Sequence, residues 1–231
     1  MDNENLVVKK IAILGGTGKE GKGLAYRWAK AGYQIVIGSR NIEKAEAAVT
    51  DLKMILGGNH EIHGATNQDA AQAADLVVMT VPFGVHQEML QSLKPYVAGK
   101  IFVDVSVPLV PPKVTKVQMP AAGSAAQEAQ QILGSEAQVV SAFQNISYEH
   151  LLNDEELECD VLVCGSSKQA RGIVLELVKA AGLVGWDAGP LENSVVVEGM
   201  TSILIGLNKQ FGVQAAGIRI TGVPRPEPKP E

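Results

Sequence analysis

The alternation of apolar and polar positions divides the chain into a regular series of short elements. "VVKKIAIL" (7–14) is β-branched and ends at glycines, which predicts a strand. "KGLAYRWAKAG" (22–32) carries apolar residues at helical spacing and stops at Gly32, so a helix closed by glycine is expected. The same alternation continues with "YQIVIG" (33–38) as strand, "IEKAEAAVTDLKMIL" (42–56) as helix, "EIHGAT" (61–66) as strand and "NQDAAQAA" (67–74) as helix. "DLVVMTVP" (75–82) is nearly all apolar, as a strand covered on both faces should be. A helix at 84–93 and a strand at 100–108 follow. Strands and helices alternating through short connections imply an α/β fold, a Rossmann-type doubly wound parallel sheet with helices on both faces.

Beyond residue 108 the pattern loosens. "PLVPPKVTKVQMP" (108–120) is a proline-marked loop. In "GSAAQEAQQIL" (123–133), Ser124 precedes Gln127 by three residues, a capping box that starts a helix. Strands are predicted at 138–143, 159–165 and 182–189, with a helix at 167–181. The segment 190–212 reads as a long helix, apolar around much of its circumference. Such a helix needs cover on several sides, and a second copy of the chain is the expected cover, giving a homodimer or higher homo-oligomer. The expected division is a nucleotide-binding Rossmann domain over 9–143 and a smaller C-terminal α/β portion over 144–222 that ends in the long helix. The tail 223–231, "VPRPEPKPE", alternates proline with charge and is expected to be extended and flexible.

Composition narrows the function classes. The chain has 231 residues, 46% hydrophobic and 19% charged, with a formal net charge of −5. A sizeable core is available. An acidic balance argues against a general nucleic-acid binder. No apolar run reaches the length of a membrane span. "MDNENLVVKK" lacks the form of a secretory signal, so a cytoplasmic location is expected. Cys159 and Cys164 match no zinc spacing and make no disulfide framework; they read as strand positions in or beside "DVLVC".

The chemistry concentrates at "GGTGKEG" (15–21), which contains Gly16-x-Gly18-x-x-Gly21 between a predicted strand and a predicted helix. In that context the glycines permit a tight turn, a close approach of backbone to a pyrophosphate and close helix–strand packing. N–H groups at the helix start hold the anion, and Thr17 adds a hydroxyl. Lys19 and Glu20 complete the loop, with the Glu20 carboxylate expected to point to solvent. At the end of the second strand, where an acid would bind the ribose of NAD, the chain has Ser39 and Arg40, with Lys44 one turn on. A hydroxyl, a guanidinium and an ammonium there suit the extra phosphate of NADP; a solvated helix start is the alternative. Thr80-Val81-Pro82-Phe83 ends the fourth strand, where ligands of doubly wound sheets lie.

A protein acid for the nicotinamide end is harder to find. His60 and His63 flank a strand far from it, His150 lies in a polar loop, and His86 is nearer but reads first as a surface residue. Tyr148 has Leu152 four residues on, so no Tyr-x-x-x-Lys pair is present there. That fits a hydride passing between two stacked rings.

"IAILGGTGKEGKGLAYRWAKAGYQIVIGSR", "GSAAQEAQ", "VVSAFQNIS", "DVLVCG", "DAGPLENS" and "AGIRITG" together resemble the F420-dependent NADP oxidoreductases, over residues 9–223. The resemblance implies reversible hydride transfer between NADP(H) and the deazaflavin coenzyme F420. It places the nucleotide on Gly16, Thr17, Gly18, Lys19, Glu20, Ser39, Arg40 and Lys44, with Thr80, Val81, Pro82 and Phe83 near the nicotinamide. It places the deazaflavin against Val110, Ala142, Gln144, Asn145 and Ile146 and against Ala216 and Gly217. Gln144 stands where similar proteins often have histidine. Lys113 and Lys116 are candidates for the deazaflavin tail, or simply a basic loop. The alternatives are an NADP-dependent reductase of another small substrate and a non-enzymatic NADP(H) sensor.

Overall fold

The computed structural model describes residues 7–152, 154 and 157–226. Five strands of the first half, β1 (Lys10–Leu14), β2 (Gln34–Ser39), β3 (Ile62–Thr66), β4 (Leu76–Met79) and β5 (Ile101–Asp104), alternate with helices α1 (Lys19–Lys30), α2 (Ile42–Leu56), α3 (Asn67–Ala73) and α4 (His86–Leu93). The second half adds α5 (Ala125–Leu133), β6 (Gln138–Ser141), β7 (Asp160–Gly165), α6 (Lys168–Ala180), β8 (Val184–Gly189) and α7 (Ser194–Phe211). All eight strands form one sheet in the order β3-β2-β1-β4-β5-β6-β7-β8. The order reverses between β1 and β4, and the crevice beyond their carboxyl ends is where a doubly wound sheet takes its ligand.

The C-terminal elements extend this sheet. β7 pairs antiparallel with β6, and β8 then runs parallel to β7. The parallel sheet expected from the strand–helix alternation is present, and β6–β7 is its one antiparallel pair. The chain reaches β7 through 142–159, whose described residues contain one short helical turn and no crossover helix, and the strand returns in the opposite sense.

Two cores lie on the two faces. Ile11 and Ile13 point to the face covered by α1, α2 and α6, whereas Ala12 and Leu14 point to the face covered by α3, α4 and α5. This two-sided burial explains the near-continuous apolar reading of β1 and β4. Trp28 on α1 donates its ring N–H to the Leu177 carbonyl on α6 at 2.8 Å and meets Phe143 edge-on at 5.7 Å. Those contacts lock the two halves of one layer together.

Helix starts follow the sequence. Asn41 caps α2 by accepting from the Lys44 N–H at 2.9 Å, and Ser124 caps α5 by accepting from the Gln127 N–H at 3.0 Å. The N-terminus of α5 is also held from α7. Glu198 accepts from the N–H groups of Ala125 and Ala126 at 2.6 and 3.1 Å, and the Ser124 and Ser194 hydroxyls are 2.6 Å apart. Burial pushes the Glu198 carboxyl up to about 8.

Asp160, fully buried at the start of β7, organises the chain after α7. It accepts from the Trp186 ring N–H and the Ile220 N–H, and it pairs with Arg225, each at 2.8 Å. The segment expected to be a free tail is thus tied down at Arg225, while 227–231 lie outside the described residues. Among the described residues no helix is long and apolar enough to cross a membrane.

The raised Glu198 carboxyl has a consequence for stability. An unfolded glutamate gives up its proton near pH 4.3, but the folded one keeps it to about 8. The unfolded state binds fewer protons in that window, so stability falls as pH rises through it. Urea denaturation at intervals from pH 4 to 8 is expected to show this slope, flattened in Glu198→Gln.

Candidate functional site

The loop between β1 and α1 is shaped by close backbone approaches. A Cβ on Gly16 would lie 2.6 Å from the Ile13 carbonyl oxygen, and one on Gly21 would lie 2.7 Å from the Gly16 Cα and 2.8 Å from the Thr80 Oγ1. Only glycine fits at either place. Gly18 differs: its one neighbour within 4 Å of such a Cβ is the Gly15 carbonyl oxygen at 3.5 Å. The protein leaves that position open, as backbone presented to a ligand would be. The Thr80 N–H and hydroxyl both donate to the Leu14 carbonyl, at 2.9 and 3.1 Å, fixing the end of β4 against the loop.

Two cavities open from this point. One, of about 810 Å³, is lined by Gly15, Thr17, Gly18, Lys19 and Glu20 at one end and by Ser39, Arg40 and Lys44 at the other. Ser39 is buried and its hydroxyl accepts from the Asn41 N–H at 3.2 Å, while Arg40 and Lys44 are exposed. The pairing of phosphate loop and basic cluster expected from the sequence therefore exists in space. Gly16 lies beneath the loop rather than on the cavity wall.

The other cavity, of about 930 Å³, has mainly apolar walls. Thr80 to Phe83, Val105 to Val107 and Val110 form one side, and Gln144, Asn145, Ile146 and Ala216 form another. α7 closes it with Thr201, Leu204, Ile205 and Asn208. The last four were missed in the sequence, although their spacing of three and four residues is one helical stripe.

The turn after β6 presents the polar residues of this cavity under strain. Phe143 holds φ of 73°, in the left-handed region, a conformation that a bulky residue keeps only when its surroundings impose it. Its ring is buried against Trp28. Gln144 and Asn145 follow. The Gln144 amide donates to the Asp104 carbonyl at 2.7 Å and the Ser141 hydroxyl at 2.9 Å; the Asn145 amide donates to the Val197 carbonyl at 2.9 Å and the Thr201 hydroxyl at 3.1 Å. Their side-chain oxygens are buried and have no hydrogen-bond partner among the described residues.

Other expected positions fall elsewhere. Ala142 is packed in the core and does not reach the cavity. Gly217 lines a separate, smaller cavity of about 370 Å³ with Ser147 and Cys159. Lys113 and Lys116 line neither large cavity. Cys164 is buried in β7, where burial pushes its thiol up to about 11, and Cys159 is half-buried just before that strand.

Two expectations are corrected. Glu20 does not point freely to solvent. It is half-buried, it lines both cavities, and burial pushes its carboxyl up to about 8. His86 is not a surface residue. It is fully buried, with Nδ1 3.0 Å from Glu128 and Nε2 2.7 Å from Asp104. The Asp104 carboxylate also accepts from the Ser106 N–H at 2.9 Å. Burial alone would lower the imidazole's pKa, but the hydrogen bonds and charges of Asp104 and Glu128 outweigh it and raise it. Sequence spacing gave no sign of this triad because its members come from α4, β5 and α5. It holds the β5 end, with Val105 and Ser106, in place beneath the apolar cavity. His86→Ala leaves two buried carboxylates without their shared donor, and urea denaturation is expected to show a loss of about 3–5 kcal/mol.

Comparison with known proteins agrees with this geometry. Residues 10–108 match the family model described as NADP oxidoreductase coenzyme F420-dependent. The F420-dependent NADP reductase of Methanocaldococcus jannaschii is 42% identical over 222 residues, covering 93% of this chain and 99% of that protein. The protein of the same name from Methanothermobacter thermautotrophicus is 39% identical over 229 residues, covering 96% and 99%. Among solved structures, a candidate F420-dependent NADP reductase from Arthrobacter sp. FB24 superposes with a TM-score of 0.78 at 22% identity, covering 94% of this chain and 100% of that one. The pyrroline carboxylate reductase of Plasmodium falciparum, with NADP bound, gives 0.58 at 14% identity, covering 89% and 66%. At such identities the two structures show the fold alone; on the sequence relatives, the chain belongs to the coenzyme F420-dependent NADP oxidoreductase family.

Proposed function

We propose that the protein catalyses reversible hydride transfer between NADP(H) and the deazaflavin coenzyme F420. The observation that carries the reading is the pair of cavities meeting at Thr80–Pro82, one lined by the glycine loop and by Ser39, Arg40 and Lys44, the other apolar and large enough for a second ring system. The relatives of matching length are named for this reaction.

The chain's residues divide the work. Backbone N–H groups at the start of α1 face the pyrophosphate, with Thr17 and Lys19 beside them. Ser39, Arg40 and Lys44 take the 2′-phosphate. Thr80, Val81, Pro82 and Phe83 carry the nicotinamide half to the meeting point. Gln144, Asn145, Ile146, Val110 and Ala216 take the deazaflavin. The chemistry of the reacting carbons belongs to the two substrates. The protein supplies a slot that excludes water and holds those carbons about 3–3.5 Å apart. In this division 9–143 builds the nucleotide cavity and 144–222 closes the second one.

A second copy of the chain completes the assembly. α7 leaves Val196 65%, Ile203 50% and Phe211 68% exposed, more apolar surface than a lone helix face usually shows to water. The two cysteines are free thiols, in keeping with a reducing cytoplasm.

Mixing the protein with NADPH and oxidised deazaflavin is expected to bleach the deazaflavin absorbance; no bleaching from mildly acidic to alkaline pH would overturn the reading. Arg40→Ala is expected to weaken NADPH by about 1.5–3 kcal/mol, the value of a hydrogen bond to a charged group, and NADH little. Equal losses measured for both cofactors would show that Arg40 does not read the phosphate.

A further inference from the structure

A carboxyl group stands where the two cavities meet. Glu20, Thr80, Val81, Pro82 and Tyr148 wall both of them. Around the apolar cavity Glu20 is the sole carboxylic acid among the described residues. Its position in the first turn of α1 would favour the ionised form. Burial acts the other way and pushes the carboxyl up to about 8. Its carboxyl has neither a hydrogen bond nor an ion pair with the described residues.

Several other polar groups nearby are already engaged. The Thr80 hydroxyl donates to the Leu14 carbonyl. The Tyr148 ring has the Lys19 ammonium 4.7 Å above it, and that ammonium pairs with Glu149 at 3.5 Å. Arg40, Lys44 and Glu88 line the nucleotide cavity only, and the Gln144 amide is spent on Asp104 and Ser141.

The reaction needs a proton as well as a hydride: NADPH, oxidised deazaflavin and H⁺ give NADP⁺ and reduced deazaflavin. We propose that Glu20 holds that proton at the meeting point and releases it as the hydride crosses. The step balances. A C–H bond of the dihydronicotinamide breaks, and its electron pair and hydrogen form the new C–H bond on the deazaflavin. The O–H bond of Glu20 breaks, and its proton goes to the reduced deazaflavin directly or through cavity water. Glu20 is left as a carboxylate beside the newly cationic nicotinamide, which stabilises it, and water restores its proton when NADP⁺ leaves. In the opposite direction the carboxylate receives the proton. This role rests on the hydride-transfer reading above and adds to it.

Calorimetric titration of NADP⁺ and NADPH near pH 7.5, in two buffers of different ionisation enthalpy, counts the protons released on binding. The unmodified protein is expected to release more protons with NADP⁺ than with NADPH, and Glu20→Gln is expected to abolish that difference while still binding both. Deazaflavin reduction by Glu20→Gln is expected to be slower by about 10²-fold, the lower range for a lost acid. An unchanged proton difference in the variant overturns the proposal, whatever happens to the rate. So does loss of both nucleotides by the variant, which would make Glu20 a binding residue. Bleaching by the variant at the unmodified rate also overturns it and leaves the hydride-transfer reading standing. Failure of the unmodified protein to bleach the deazaflavin sinks that reading instead, and this proposal with it.

Discussion

The approach of the first glycine loop to Thr80 is the contact on which the rest of the site depends. Gly21 brings the start of α1 against Gly16 and Thr80 at distances that exclude any side chain. Thr80 in turn is bonded twice to the end of β1. With those two strand ends locked, Gly15, Thr17 and Gly18 of the loop line one cavity, and Val81 and Pro82 form the wall between that cavity and the next. A methyl group on Gly21 would push α1 off the sheet and separate the two binding surfaces. The geometry that a hydride transfer needs therefore begins with the absence of a Cβ.

Buried charge holds the remaining walls. His86 joins Asp104 at the end of β5 to Glu128 on α5. Glu198 on α7 caps α5 through Ala125 and Ala126, and Asn145 bonds to α7 at Val197 and Thr201. Three segments that line the apolar cavity, after β5, after β6 and along α7, are thus tied together by polar contacts within the protein. Such contacts are directional and costly to break when buried. They fix the cavity's shape more closely than apolar packing alone would. Asp160 does the same for the chain after α7 by holding Ile220 and Arg225, while Asn208 on α7 accepts from the Ala216 N–H at the cavity wall.

The two cavities divide the ionisable groups unequally. Arg40, Lys44 and Lys19 line the cavity beside the glycine loop, where under the proposed function phosphate brings negative charge. Among the described residues the apolar cavity has almost none, and burial pushes up the carboxyl of the one acid it shares, Glu20. A hydride moving between two rings is best served by that contrast: firm anchoring of the nucleotide's phosphates, and few fixed charges around the reacting carbons.

By itself, the sequence determined the elements and which residues of the glycine loop and the second strand end would come together. β1, α1 and β2 follow from apolar periodicity and glycine stops, and Gly16, Gly18, Gly21, Ser39 and Arg40 from short-range spacing, because each of these signals acts within a few residues. Tertiary structure alone decided that β7 turns antiparallel to β6, that Thr201, Leu204, Ile205 and Asn208 close the second cavity, that Ala142 is core, and that His86 is buried between two acids. It also moved Glu20 from solvent to the boundary between the cavities. Those outcomes depend on groups brought together from distant parts of the chain: Asp104 with His86 and Glu128, α7 with the turn after β6, Glu20 with Tyr148. Burial and charge pairing between such groups leave no periodic trace in the sequence, since they are set by which surfaces meet once the sheet has formed.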